Sequence, residues 1–174
     1  MYATAVTTAQ SRPPRRGGVV RIIRRGIDLG INYIDTAWPY HLGESERILG
    51  RVLQDGYRDR VHLVTKLPMF MVRRTEDFDR YLNTQMKRLQ TNYLDIYLFH
   101  AVNAGAFEKM KRLGLIEMIE EAKRQGRIGH IGFSFHDTSR RTSPSRTTSR
   151  WSAPAGCAGI CATDTGSSQD PRTS

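Results

Sequence analysis

The chain has 174 residues, enough for one domain with tails, and its 27 Lys+Arg against 17 Asp+Glu give a net charge of +10. That excess is uneven: residues 1–25 carry +6 and 139–174 carry +3, whereas 26–138 carry only +1, so no nucleic-acid partner is expected of the body of the chain. No apolar run approaches the ~18 residues of a membrane span, no secretory h-region is present, and the lone pair Cys157 and Cys161 makes neither a disulfide framework nor a four-ligand zinc site; a cytoplasmic, reduced, metal-free protein is expected.

In chain order, Val19, Ile22, Ile23 and Ile27 predict a helix that ends at Gly30. INYIDTA (31–37) reads as a strand, and ESERILGRVLQ (44–54) as a helix with Ile48, Leu49, Val52 and Leu53 on one face. A second strand, VHLVTKL (61–67), precedes a helix in which Phe78, Leu82, Met86 and Leu89 recur at helical spacing behind Thr75 as N-cap. LDIYLFHAV (94–102) is a third strand. A helix over roughly 112–125 turns Met118, Ile119 and Ala122 inward and stops at Gly126, and IGHIGFSF (128–135) is the fourth strand. From Ser139 the chain is rich in Ser, Thr and Arg, with Ile160 its only aliphatic residue larger than Ala, so the tail is expected to be disordered.

Strand and helix in alternation predict βαβ units and a parallel sheet. No G-x-G-x-x-G follows any strand, which disfavours the dinucleotide-binding open sheet. Each apolar run closes on a polar residue: Asp35, Lys66, His100 and Ser134, at spacings of 31, 34 and 34. In a (β/α)8 barrel those positions fall on the C-terminal rim, where the active site lies. Taken singly each has a bland explanation. Asp35 could cap the next segment, Tyr40 could pack as a loop aromatic, Lys66 could reach past the strand end to solvent, and His100 could be a hydrogen-bonded core histidine. Their convergence on one rim favours chemistry.

The segments GINYIDTAWPYHLGESERILG (30–50), VTKLP (64–68), LDIYLFHAV (94–102) and GRIGHIGFS (126–134) together resemble the aldo/keto reductase superfamily, the first matching its G-x-N-x-x-D-T-A-x-x-Y pattern. The nearest likeness is to the bacterial branch whose members often add a C-terminal iron–sulfur domain. The resemblance spans residues 19–138 and implies an α/β fold, a partial (β/α)8 TIM barrel of about four βα units equivalent to the family's strands 2 to 5. It marks 1–18 and 139–174 as disordered tails, and the chain as a truncated member. The implied activity is reduction of an aldehyde or ketone with NADPH. Tyr40 would be the general acid, Lys66 the neighbouring cation that eases proton release from a phenol, Asp35 the ion-pair partner of Lys66, and His100 the group that orients the carbonyl. Ser134 would hold the nicotinamide carboxamide; Phe135 stands where the family carries Asn. The alternative is a non-catalytic binding or regulatory module on the same fold.

Overall fold

A computed structural model describes residues 16–135 and 160–163. The elements are α1 (Arg16–Asp28), β1 (Tyr33–Asp35), α2 (Ser45–Val52), β2 (His62–Leu67), α3 (Asp77–Leu89), β3 (Leu94–Val102), α4 (Ala104–Arg112), α5 (Leu115–Arg124), β4 (Ile128–Phe135) and β5 (Ile160–Thr163). Strands β1 to β4 are neighbours in sequence order and pair in parallel. Successive parallel strands joined through helices are the units of a (β/α)8 barrel, and four of them are present, as expected. Among the described residues no helix is long and apolar enough to cross a membrane.

The core lies between the sheet and the helices. Leu63 and Leu67 of β2, Tyr97 and Phe99 of β3, and Phe78, Leu82, Met86 and Leu89 of α3 are all buried, so the helical face read from the sequence is the one that packs. Gly50 lets α2 approach α3: a Cβ there would collide with the carbonyl oxygen of Arg88. Gly126 closes α5 with φ +71. Its own amide donates to Lys123 O at 2.9 Å and the amide of Arg127 to Ala122 O at 3.0 Å, the bonding pattern that satisfies the last carbonyls of a helix when glycine takes the left-handed turn.

One expectation is corrected, and two elements, α4 and β5, are added to those read from the sequence. The helix read over 112–125 is α5, and a further helix, α4, precedes it, started by Asn103, whose Oδ1 accepts from Ala106 N at 2.9 Å. Thr75 does not cap α3; its hydroxyl donates to Leu113 O at 2.9 Å. Asp77, the first residue of α3, instead ties down the loop before the helix, accepting from the amides of Arg73 at 2.8 Å and Arg74 at 3.2 Å, and these bonds hold its carboxyl below the usual carboxylate range. Within the tail expected to be disordered, Ile160–Thr163 forms β5, antiparallel to β4 with Ile131 opposite Thr163. The outer edge of β4 offers unpaired backbone groups, and a short segment with a β-branched residue at each end suffices to fill them. The rest of 139–174 and most of 1–18 lie outside the described residues.

The N-terminal side of the sheet is locked by Asp95. Buried on β3, it accepts from Leu63 N at 2.9 Å and from Arg58 at 2.6 Å, so a charge outside the rim serves to fix neighbouring strands.

Candidate active site

The register of the sheet sets the site. Asp35 pairs with Val64, two residues before Lys66; Lys66 pairs with Leu98, two before His100; and Leu98 pairs with Gly132, two before Ser134. Side chains alternate with period two along a strand, so Asp35, Lys66, His100 and Ser134 share one face at the C-terminal ends. The sheet runs on past β1 by one further bond, from Thr36 N to Val64 O at 2.9 Å, before the chain turns through Trp38 and Pro39 into a 3-10 turn at Tyr40–Gly43.

Lys66 is the hub. Its side chain is 5% exposed, and its ammonium donates to Asp35 Oδ1, to Thr36 O at 2.9 Å and to the Tyr40 hydroxyl at 3.4 Å. The same nitrogen lies 4.9 Å from the centre of the Tyr40 ring. A cation this short of water interacts strongly with whatever charge develops beside it. The Tyr40 and His100 rings meet edge to face, centres 5.9 Å apart, and Phe70, largely exposed, meets the other side of His100 at 6.4 Å. Tyr40 itself is 38% exposed, so its hydroxyl is reachable from outside. Asp35, Tyr40, Lys66 and His100 thus form one contact group. Ser134 joins through the backbone: its Oγ accepts from Ala101 N at 2.8 Å. Ala101, directly after His100, has φ +54, beside the register shift between Phe99 and Val102.

Behind β2 lies a buried polar network that the sequence reading passed over. Thr65 donates to Glu46 Oε1 at 2.8 Å, and Gln85 Nε2 reaches Glu46 Oε1 at 2.6 Å, Thr65 Oγ1 at 3.0 Å and Lys66 O at 3.0 Å. Tyr97 donates to Gln85 Oε1 at 2.7 Å, and Arg88 to Glu46 Oε2 at 3.1 Å. Burial first, and the charge of Glu46 second, hold the Tyr97 phenol well above its ordinary range, so it remains a hydroxyl donor. The readable signal is a polar residue within an apolar helical stripe. Glu46 shares the buried face of α2 with Leu49 and Gly50, and Gln85 that of α3 with Leu82 and Met86.

With this geometry in view, the comparisons with known proteins are decisive for the family. The model of the aldo/keto reductase family matches residues 4–150. The chain belongs to the aldo/keto reductase family. It is 34% identical over 115 residues to methylglyoxal reductase YeaE of Escherichia coli, covering 66% of this chain and 38% of that protein. It is 36% identical over 91 residues to aldo-keto reductase YhdN of Bacillus subtilis, covering 47% and 27% respectively. A Klebsiella pneumoniae aldo-keto reductase solved in complex with NADPH superposes with a TM-score of 0.62 at 33% identity, over 73% of this chain and 42% of that one. This aldo/keto reductase chain therefore spans less than half the length of these relatives, and its described sheet is a partial version of their barrel fold.

Proposed function

We propose that this chain reduces an aldehyde or ketone with NADPH, with Tyr40 as general acid and residues 19–138 as the part that carries the chemistry. The observation that carries the reading is the contact between the buried Lys66 ammonium and the hydroxyl of an exposed tyrosine. A carbonyl oxygen placed between Tyr40 and His100 accepts a hydrogen bond from each. As negative charge develops there, Tyr40 passes its proton to the oxygen and the resulting phenolate is stabilised by Lys66. Asp35 holds that ammonium in place and offsets the cost of its burial. Phe70 offers an apolar ring beside His100.

The residues present suit one end of the cofactor. Because Ser134 Oγ accepts from Ala101 N, its own proton is left to donate to a carboxamide oxygen on the face shared with Lys66 and His100. Bound there, NADPH would supply the hydride that reaches the carbonyl carbon. Support for NADPH comes from the solved relatives that contain NADP or NADPH, and the likeness to the iron–sulfur-bearing branch rests on the sequence segments alone. The runner-up is a binding module on the same fold without turnover.

Methylglyoxal is the probe aldehyde, since one relative is named for its reduction. Following NADPH oxidation at saturating aldehyde, the native chain is expected to exceed Tyr40→Phe by about a hundredfold or more, the usual contribution of a positioned general acid. Equal rates in the two proteins would remove Tyr40 from the chemistry. Methylglyoxal binding with no turnover in either would favour the non-catalytic module.

A further inference from the structure

The loop that carries Tyr40 is closed at its ends by the Thr36 Oγ1–Ser45 Oγ hydrogen bond at 2.8 Å, and within it the tight packing lies before Tyr40 rather than after it. Downstream, His41 and Leu42 have φ +52 and +56, a left-handed pair that side chains seldom adopt, and Leu42 is fully exposed. Upstream, Trp38 packs against the core, and the link from it to Tyr40 is short and stiff. Pro39, with φ −83, has little freedom, and Tyr40 N donates to Ala37 O at 3.1 Å.

Two residues of α3 grip Trp38. The Arg88 guanidinium lies 3.7 Å from the centre of a Trp38 ring, and Tyr81 meets the indole edge to face at 4.8 Å. Tyr81 and Arg88 are seven residues apart, two turns along one stripe of the helix. Arg88 is fixed in turn by Glu46, which is completely buried. Yet Arg88 Nε is buried with no hydrogen-bond partner among the described residues. A guanidinium kept only to pair with Glu46 would not need to leave that donor unmade; lying over the indole, it gains attraction from the electron-rich ring face instead.

We infer that the Arg88–Trp38 stack is the clamp that positions Tyr40 against Lys66 and His100. Glu46 orients Arg88, Arg88 holds Trp38, and Pro39 transmits that position to the phenol. Trp38 and Arg88 touch none of the proposed reacting atoms; they are positioning residues. The inference rests on the reading of Tyr40 as the acid for its purpose, though not for its geometry.

The test keeps the charge beside Glu46 in place. In Trp38→Leu the Arg88–Glu46 pair survives; in Arg88→Lys a cation remains but the planar stack is lost; Trp38→Phe retains a ring face. The readout is the displacement of the His100 ring protons by the Tyr40 ring in NMR spectra, measured against Tyr40→Leu, with amide protection of β2 and β3 reporting an intact fold. Trp38→Leu and Arg88→Lys are each expected to lose more than half of that displacement with β2 and β3 still protected, and Trp38→Phe to restore most of it. In methylglyoxal reduction the same two variants should lower kcat about tenfold while KM stays within about twofold. An unchanged His100 displacement in the first two variants would overturn the clamp. Loss of the displacement with no turnover even in the native chain would support the clamp and contradict the catalytic reading, so the two fail separately.

Discussion

Lys66→Met is expected to lower carbonyl reduction by about a hundred- to a thousandfold, the range seen when a preorganised electrostatic group aimed at developing charge is removed, while leaving the chain folded, at a cost of about 1–3 kcal/mol for the buried Thr36 carbonyl that loses its donor. The two effects separate because of where each partner sits. Met fills much the same volume as Lys with no charge to desolvate, and volume-conserving changes in a packed site cost little. Asp35, left without its cation, is 29% exposed and can be hydrated, so it does not become a buried unpaired charge. Tyr40, by contrast, loses the only ammonium that the described contacts place beside its hydroxyl. Steady-state kinetics paired with urea unfolding checks both halves; a chain already unfolded without urea would mean that Lys66 is structural.

Glu46→Ala is expected to do the reverse, destabilising the chain by about 3–5 kcal/mol, as when one partner of a buried ion pair is removed. The carboxylate accepts from Thr65, Gln85 and Arg88; its loss takes the acceptor from Thr65 and the ion-pair partner from Arg88, while Gln85 keeps only Thr65 Oγ1 and the Lys66 carbonyl, in a region with no exposure at Glu46, Thr65 or Gln85. Each buried donor left unmade carries its own desolvation cost, and the total is a large part of what holds a domain of this size together. The urea midpoint should fall well below that of the native chain, and an unchanged midpoint would mean that water replaces the carboxylate without loss. Because the network also holds the Lys66 carbonyl through Gln85, the rate should fall with it.

The contrast between these two residues explains what was legible in the sequence. Asp35, Lys66, His100 and Ser134 stand out because each ends an apolar strand, where a (β/α)8 unit turns toward its rim, and the register places all four on one face. Tyr40 stands out only through the pattern that joins it to Asp35. Glu46 and Gln85 are hidden by the periodicity that reveals their helices: a stripe defined by Leu, Met and Phe invites a polar member to be read as its solvent border, and only the opposing β2 surface shows that it is filled by Thr65 and the Lys66 carbonyl. Helix α4 begins with Ala104, Gly105 and Ala106, residues too small to mark a face, so the Asn103 cap is the one cue to it. Strand β5 depends on backbone pairing to the edge of β4, which leaves little trace in side-chain pattern. Trp38 is visible as an aromatic in a loop, but its role depends on Arg88, fifty residues further along.

The central claim is that the group around Lys66 promotes reduction of a carbonyl carbon by the hydride that NADPH would supply, while Tyr40 protonates the oxygen. Its most direct test is to incubate the chain with methylglyoxal and NADPH bearing deuterium at both C4 positions of the nicotinamide, and to locate the label in the product by mass spectrometry. The expected product is the alcohol with one deuterium on the carbon that was the carbonyl, formed by the native chain and suppressed in Tyr40→Phe. Alcohol without deuterium at that carbon, or labelled alcohol formed equally by the two proteins, would contradict it.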